Sequence, residues 1–135
     1  MSKKICSLFL AVVMFFTFSS ASVFASDVML FADYGSSATS YLSLNGTTAT
    51  CKSTFPTEPT VKSITITQTL EKSTLWWWDE INTWERTFNQ SSATYTNSRS
   101  SLSSGTYRVK SVFTVTATNG ASETITVYSA EKKVS

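Results

Sequence analysis

From Thr106 to Thr118 the chain alternates apolar and polar side chains with a period of two, the pattern of a strand with one face in a core and the other in water. Tyr107, Val109, Phe113 and Val115 fall on one face, with Ser111 between them. Arg108, Lys110, Thr114 and Thr116 fall on the other, broken only by Val112. Asn119-Gly120 marks a turn, and Thr124 to Val127 reads as the next strand. Loop length then decides which residues meet. A two-residue loop would set Phe113 against Thr126 and mix the faces. A three-residue loop, Thr118-Asn119-Gly120, sets Phe113 opposite Ile125 and Ser111 opposite Val127, with Gly120 in the left-handed position this loop requires. The three-residue register is the expected one.

The same grammar repeats upstream. Ser40 to Leu44 reads as a strand, Asn45-Gly46 as its turn and Thr47 to Phe55 as a second strand, before a loop bracketed by Pro56 and Pro59. Val61 to Leu70 is rich in β-branched residues, with Ile64, Ile66 and Leu70 on one face. A tryptophan segment, Thr83 to Phe88, and a short strand at Ala93 to Thr96 follow, and Asn97 to Gly105 is turn-like. No stretch carries a helical period and nothing repeats. The expected fold is all-β, an immunoglobulin-like antiparallel β-sandwich of about seven strands. Tyr107, at the start of the longest strand after a tight corner, has two readings: a tyrosine corner bonding back to the preceding backbone, or an ordinary core tyrosine.

The first 25 residues are expected to leave. Lys3 and Lys4 precede an apolar run from Ile5 to Phe18, and Val23-Phe24-Ala25 supplies small residues for cleavage after Ala25. That is the plan of a secretory signal peptide, and the run is too short to span a bilayer. Residues 26–40 are then an N-terminal segment, partly flexible, and residues 41–135 the sandwich domain. A secreted protein results, extracellular or associated with the cell wall, with no stable membrane insertion. Its 110 residues hold nine basic and nine acidic side chains, so neither nucleic acid nor an anionic membrane has electrostatic support as a partner. Cys6 leaves with the signal, and Cys51 stays without an intramolecular partner, either as a small buried residue or as a thiol that pairs between molecules. Serine and threonine make up 40 of the 110 residues, but the threonines alternate with large apolar residues, against a disordered or glycosylated stalk.

Several motifs carry a resemblance. They are Gly46-Thr47-Thr48-Ala49-Thr50-Cys51, Leu70-Glu71-Lys72, the Trp78-Asp79-Glu80-Ile81-Asn82-Thr83-Trp84 spacing, and Ser104-Gly105-Thr106-Tyr107-Arg108-Val109-Lys110. From about Tyr41 to Tyr128 the chain resembles a family of small uncharacterised secreted proteins of Gram-positive bacteria, which carry a domain of unknown function after a signal peptide. The resemblance implies export and a β-sandwich, and it brings no catalytic residue. Leu75, Trp76 and Trp77 depart from the pattern, standing where polar hairpin residues belong.

The chemistry of an enzyme is not legible. There is no histidine, which removes imidazole catalysis and weakens the case for zinc. Asp79, Glu80 and Glu85 are the clustered acids; as a hairpin group they read as a solvated face, not a glycosidase pair, and Asp79-Glu80 with Asn82 is a thin donor set for calcium. No catalytic residue, metal site or cofactor is assigned. The tryptophans are the unusual feature. In an extended strand Trp76 and Trp78 point one way and Trp77 the other, so at least one indole should be exposed unless the hairpin folds over itself. Trp78 and Trp84 are the expected core pair, and Trp76 and Trp77 the candidate binding residues, with Trp77 the exposed one. The expected function is a non-enzymatic binding module whose partner is a cell-wall glycan or an extracellular protein. The alternatives are a self-associating structural protein of the cell envelope, using the same hairpin or Cys51, and a secreted effector or antagonist.

Overall fold

The computed structural model describes residues 37–135; the expected signal peptide, its cleavage after Ala25 and most of the segment 26–40 lie outside the described residues. Eight strands follow in order: β1 (Thr39–Asn45), β2 (Thr48–Phe55), β3 (Val61–Ser73), β4 (Trp78–Phe88), β5 (Ala93–Arg99), β6 (Gly105–Ala117), β7 (Ser122–Tyr128) and β8 (Lys132–Val134). They form two antiparallel sheets, β1-β2-β5 against β4-β3-β6-β7, with β8 paired to the start of β6. The described residues form an all-β sandwich. In immunoglobulin lettering the sheets are A-B-E and C′-C-F-G, so the fourth strand sits on the edge of the second sheet, where a constant-type domain keeps it on the first. The eighth strand is one more than the sequence pattern suggests, because three residues of β8 are too short to show a period.

The β6–β7 hairpin has the expected register, with Phe113 opposite Ile125 and Ser111 opposite Val127. Thr118-Asn119-Gly120 forms the loop, closed by Gly120 N–H donating to the Ala117 carbonyl at 2.9 Å, and Gly120 sits at φ +89°. β5 runs on to Arg99, past the expected end at Thr96, because Asn97 to Arg99 keep pairing with Ala49 to Cys51. β3 likewise continues to Ser73.

The core has two apolar ends and a polar middle. At one end Phe55 and Phe113 meet with ring centroids 6.0 Å apart, and the β3–β6 register sets Ile64 and Ile66 beside Val115 and Phe113. At the other, Leu42, Ala49 and Cys51 of the small sheet pack on Leu70, Leu102, Tyr107, Val109 and Val134. Between them a chain of side chains crosses the sandwich. Asn97 Nδ2 donates to Gln68 Oε1 (2.9 Å), and Gln68 Nε2 donates to Ser53 Oγ (2.8 Å) and to the Tyr95 carbonyl (3.0 Å). Ser53 Oγ is 2.6 Å from Ser111 Oγ, Ser111 donates to Ser40 Oγ at 2.8 Å, and Ser40 donates to the Val109 carbonyl at 3.2 Å. Because Ser111 spends its one proton on Ser40, Ser53 must donate to Ser111. The chain therefore has a single direction from Asn97 to a backbone carbonyl, and its buried hydroxyls are satisfied.

The loop before β6 is the tyrosine corner, which settles the two readings of Tyr107. Its Oη donates to the Ser103 carbonyl at 2.7 Å, four residues upstream, while its ring is buried. Gly105 turns the chain at φ +152°, and a Cβ there would lie 2.5 Å from Cε of Lys72, whose ammonium donates to Ser103 Oγ at 2.7 Å.

Candidate functional site: the tryptophan turn and its sheet face

The β3–β4 hairpin closes on the pair Ser73–Trp78, so residues 74–77 are its loop. No glycine, proline or asparagine makes this turn; the Thr74 side chain does. Thr74 Oγ1 donates to the Trp77 carbonyl (2.8 Å) and accepts from Trp77 N–H (3.1 Å) and Trp76 N–H (3.4 Å), while Thr74 N–H donates to the same Trp77 carbonyl at 2.8 Å. The hydroxyl thus takes up the Trp76 and Trp77 N–H groups of the turn, beside the backbone bond that closes the hairpin.

Leu75, Trp76 and Trp77 project from that loop and are 92%, 84% and 60% exposed. The strand alternation expected for Trp76 and Trp77 is wrong: both lie in the turn, and both point into solvent. Trp77 is exposed as expected, and Trp76 still more so. Trp77 is also oriented, since its Nε1 donates to Asp79 Oδ1 at 2.6 Å.

The expected core pair separates. Trp84 lies opposite Gln68, on the inward face, and packs on the apolar end around Leu70 and Tyr107. Trp78 lies opposite Ser73 on the outer face. The cause is a β-bulge: Leu70 pairs with Asn82 but Glu71 pairs with Glu80, so Ile81 is an extra residue that reverses the alternation between the two tryptophans. Ile81 itself turns toward the core cluster.

On that outer face the Arg108 guanidinium lies over two rings, 4.0 Å from the Trp78 centroid and 4.3 Å from that of Tyr128. Arg108 Nε donates to Glu71 Oε1 at 2.8 Å, a pair in which the carboxylate is nearly buried. The three acids read as a solvated face are spread out. Asp79 holds Trp77, Glu80 is exposed opposite Glu71, and Glu85 accepts from Thr67 Oγ1 at 3.0 Å. Asn82 Oδ1 is taken by Arg99 at 2.7 Å. No group of three His, Cys, Asp or Glu side chains able to hold a metal ion occurs among the described residues. Cys51 is fully buried, and burial pushes its thiol up to about 12, so it packs in the core and presents no thiol at the surface of the described residues. Sequence reading missed Arg108, Tyr128 and Glu71 as neighbours of the tryptophans, because only the bulge brings Trp78 to their side.

No family model and no curated protein matches the chain. Among solved structures, catalytically inactive OgpA from Akkermansia muciniphila, in complex with an O-glycopeptide substrate, aligns over 67% of this chain at 12% identity and a TM-score of 0.36. The chain covers 27% of that protein. A likeness so slight carries no argument about function.

Proposed function

We propose that this protein is a secreted, non-enzymatic binding module that holds a glycan of the cell wall through Trp76 and Trp77. The observation that carries the reading is a pair of adjacent indoles held in water on a turn that Thr74 pins. Exposed indoles contribute nothing to the core, and burying one against a ligand is worth roughly 2–3 kcal/mol before the costs of association. A sugar ring fits this chemistry: its C–H faces stack on an indole, and its hydroxyls seek acceptors at the ring edge. Asp79 supplies such an acceptor, fixed beside Trp77 by their hydrogen bond.

The test is co-sedimentation of the protein with purified cell walls and insoluble polysaccharides, beside Trp76→Ala, Trp77→Ala and the double variant. Each single change should weaken retention about tenfold, and the double should abolish it. Failure to sediment with any glycan, or undiminished retention of the folded double variant, refutes the reading and turns the search to a protein or lipid partner.

A further inference from the structure

We infer that the outer face of the five-stranded sheet, where it adjoins the tryptophan turn, binds the carboxylate groups of an acidic glycan, with Arg108 as the recognising fork. This rests on the glycan reading of the turn and narrows it to a class of polymer.

Arg108 is held as a recognition residue would be. Its guanidinium packs on the rings of Trp78 and Tyr128, and its Nε is tied to Glu71. Its terminal nitrogens Nη1 and Nη2 take no hydrogen-bond partner among the described residues. What remains is the terminal edge of a rigid, planar donor, the shape that accepts a carboxylate with two parallel bonds. Most of the rotamer freedom of a long side chain is already lost in the free protein, so binding need not remove it again. Tyr128, 47% exposed, leaves part of its ring beside the fork for the sugar itself.

Charge on this face agrees. Glu71 neutralises Arg108, but the strand register places two further cations on the same side: Lys110 opposite Tyr128, and Lys133 opposite Thr106. Glu80, opposite Glu71, is the second acid. Glu85, opposite Thr67, is a third acid further along the same face, so the lysines gather on β6 and β8 beside Arg108 while Glu80 and Glu85 lie along the β4 edge. A carboxylate can set both of its oxygens in the plane of the fork, one on each terminal nitrogen.

The experiment compares binding of the protein to polygalacturonate and to its fully methyl-esterified form, which has the same backbone without the charge. The acid form should bind at least tenfold tighter, and that difference should shrink between 50 and 500 mM salt, on the scale of ionic screening. Arg108→Lys keeps the charge and removes the fork; it should lose about tenfold for the acid form and nothing for the ester. Since that change also disturbs Glu71, the surface pair Lys110→Gln/Lys133→Gln is measured beside it and should weaken only the acid form. Equal binding of both forms that is still lost in Trp76→Ala/Trp77→Ala overturns this inference and leaves the proposed function standing. Tighter binding of a polyglycerol phosphate than of the polyuronate also overturns it. If no glycan binds at all, both fall together.

Discussion

At the scale of single residues, Cys51 and Tyr107 show how position changes chemistry. Both sit in the same apolar end of the core, and only Tyr107 reaches a polar partner, the Ser103 carbonyl. The Cys51 thiol has apolar neighbours, and burial raises it from its ordinary 9.0 to about 12. Two consequences follow from that shift. In the native protein a disulfide reagent at pH 8 should leave Cys51 unmodified, reacting only once denaturant is added. Stability should also depend on alkaline pH, and the sign is fixed by linkage. Between about 9 and 12 the unfolded thiol has lost its proton and the folded one keeps it, so raising the pH favours the unfolded state. Relative to Cys51→Ala, the parent protein should lose roughly 1 kcal/mol per pH unit across that window, measured by urea unfolding at each pH. Parallel pH profiles for the two proteins would contradict it.

At the scale of elements, the polar chain across the sandwich is the feature that strand pattern alone undervalues. Ser40 and Ser53 come from one sheet, Gln68 and Ser111 from the other, and each hydroxyl both donates and accepts. Sliding either sheet by two residues, one side-chain repeat, would replace those partners with apolar side chains, so the chain fixes how the sheets face each other. Removing one member orphans its neighbour. Ser53→Ala and Ser111→Ala should each cost about 1–2 kcal/mol, while the double variant should cost less than the two together by about 1 kcal/mol. Simple additivity in urea titrations would show that the 2.6 Å contact is incidental. Ser111 was visible in the sequence as a serine on an otherwise apolar face, and the β6–β7 register could be worked out because Gly120 and two-residue periodicity leave one consistent pairing. The β3–β4 hairpin could not. Its turn is built by a threonine hydroxyl and not by glycine, so Trp76 and Trp77 read as strand. The extra residue Ile81 has no sequence mark, so the face of Trp78 came out inverted and the stack on Arg108 stayed hidden.

At the scale of the whole molecule, the parts that hold it together and the parts offered to a partner are separate. Both apolar ends of the core and the polar chain lie between the sheets, whereas Leu75, Trp76 and Trp77 of the turn are exposed. The same residue type therefore plays two roles within nine positions. Trp84 packs on the Leu70 and Tyr107 end of the core, whereas Trp76 stands in water on the loop. Trp84 is half-buried, so truncating it removes part of the contacts of a core indole, and Trp84→Ala should cost about 2 kcal/mol. Truncating Trp76 removes apolar surface that is exposed in the folded and unfolded states alike, so Trp76→Ala should change stability by less than about 0.5 kcal/mol. Urea midpoints of the two variants decide the matter. A large loss in Trp76→Ala would mean that the turn supports the fold, and its exposed indoles would then need no ligand to explain them. A neutral Trp76→Ala beside a costly Trp84→Ala would mean that folding gives no reason to keep two indoles in water, which leaves contact with a partner as the reason for their place on the turn.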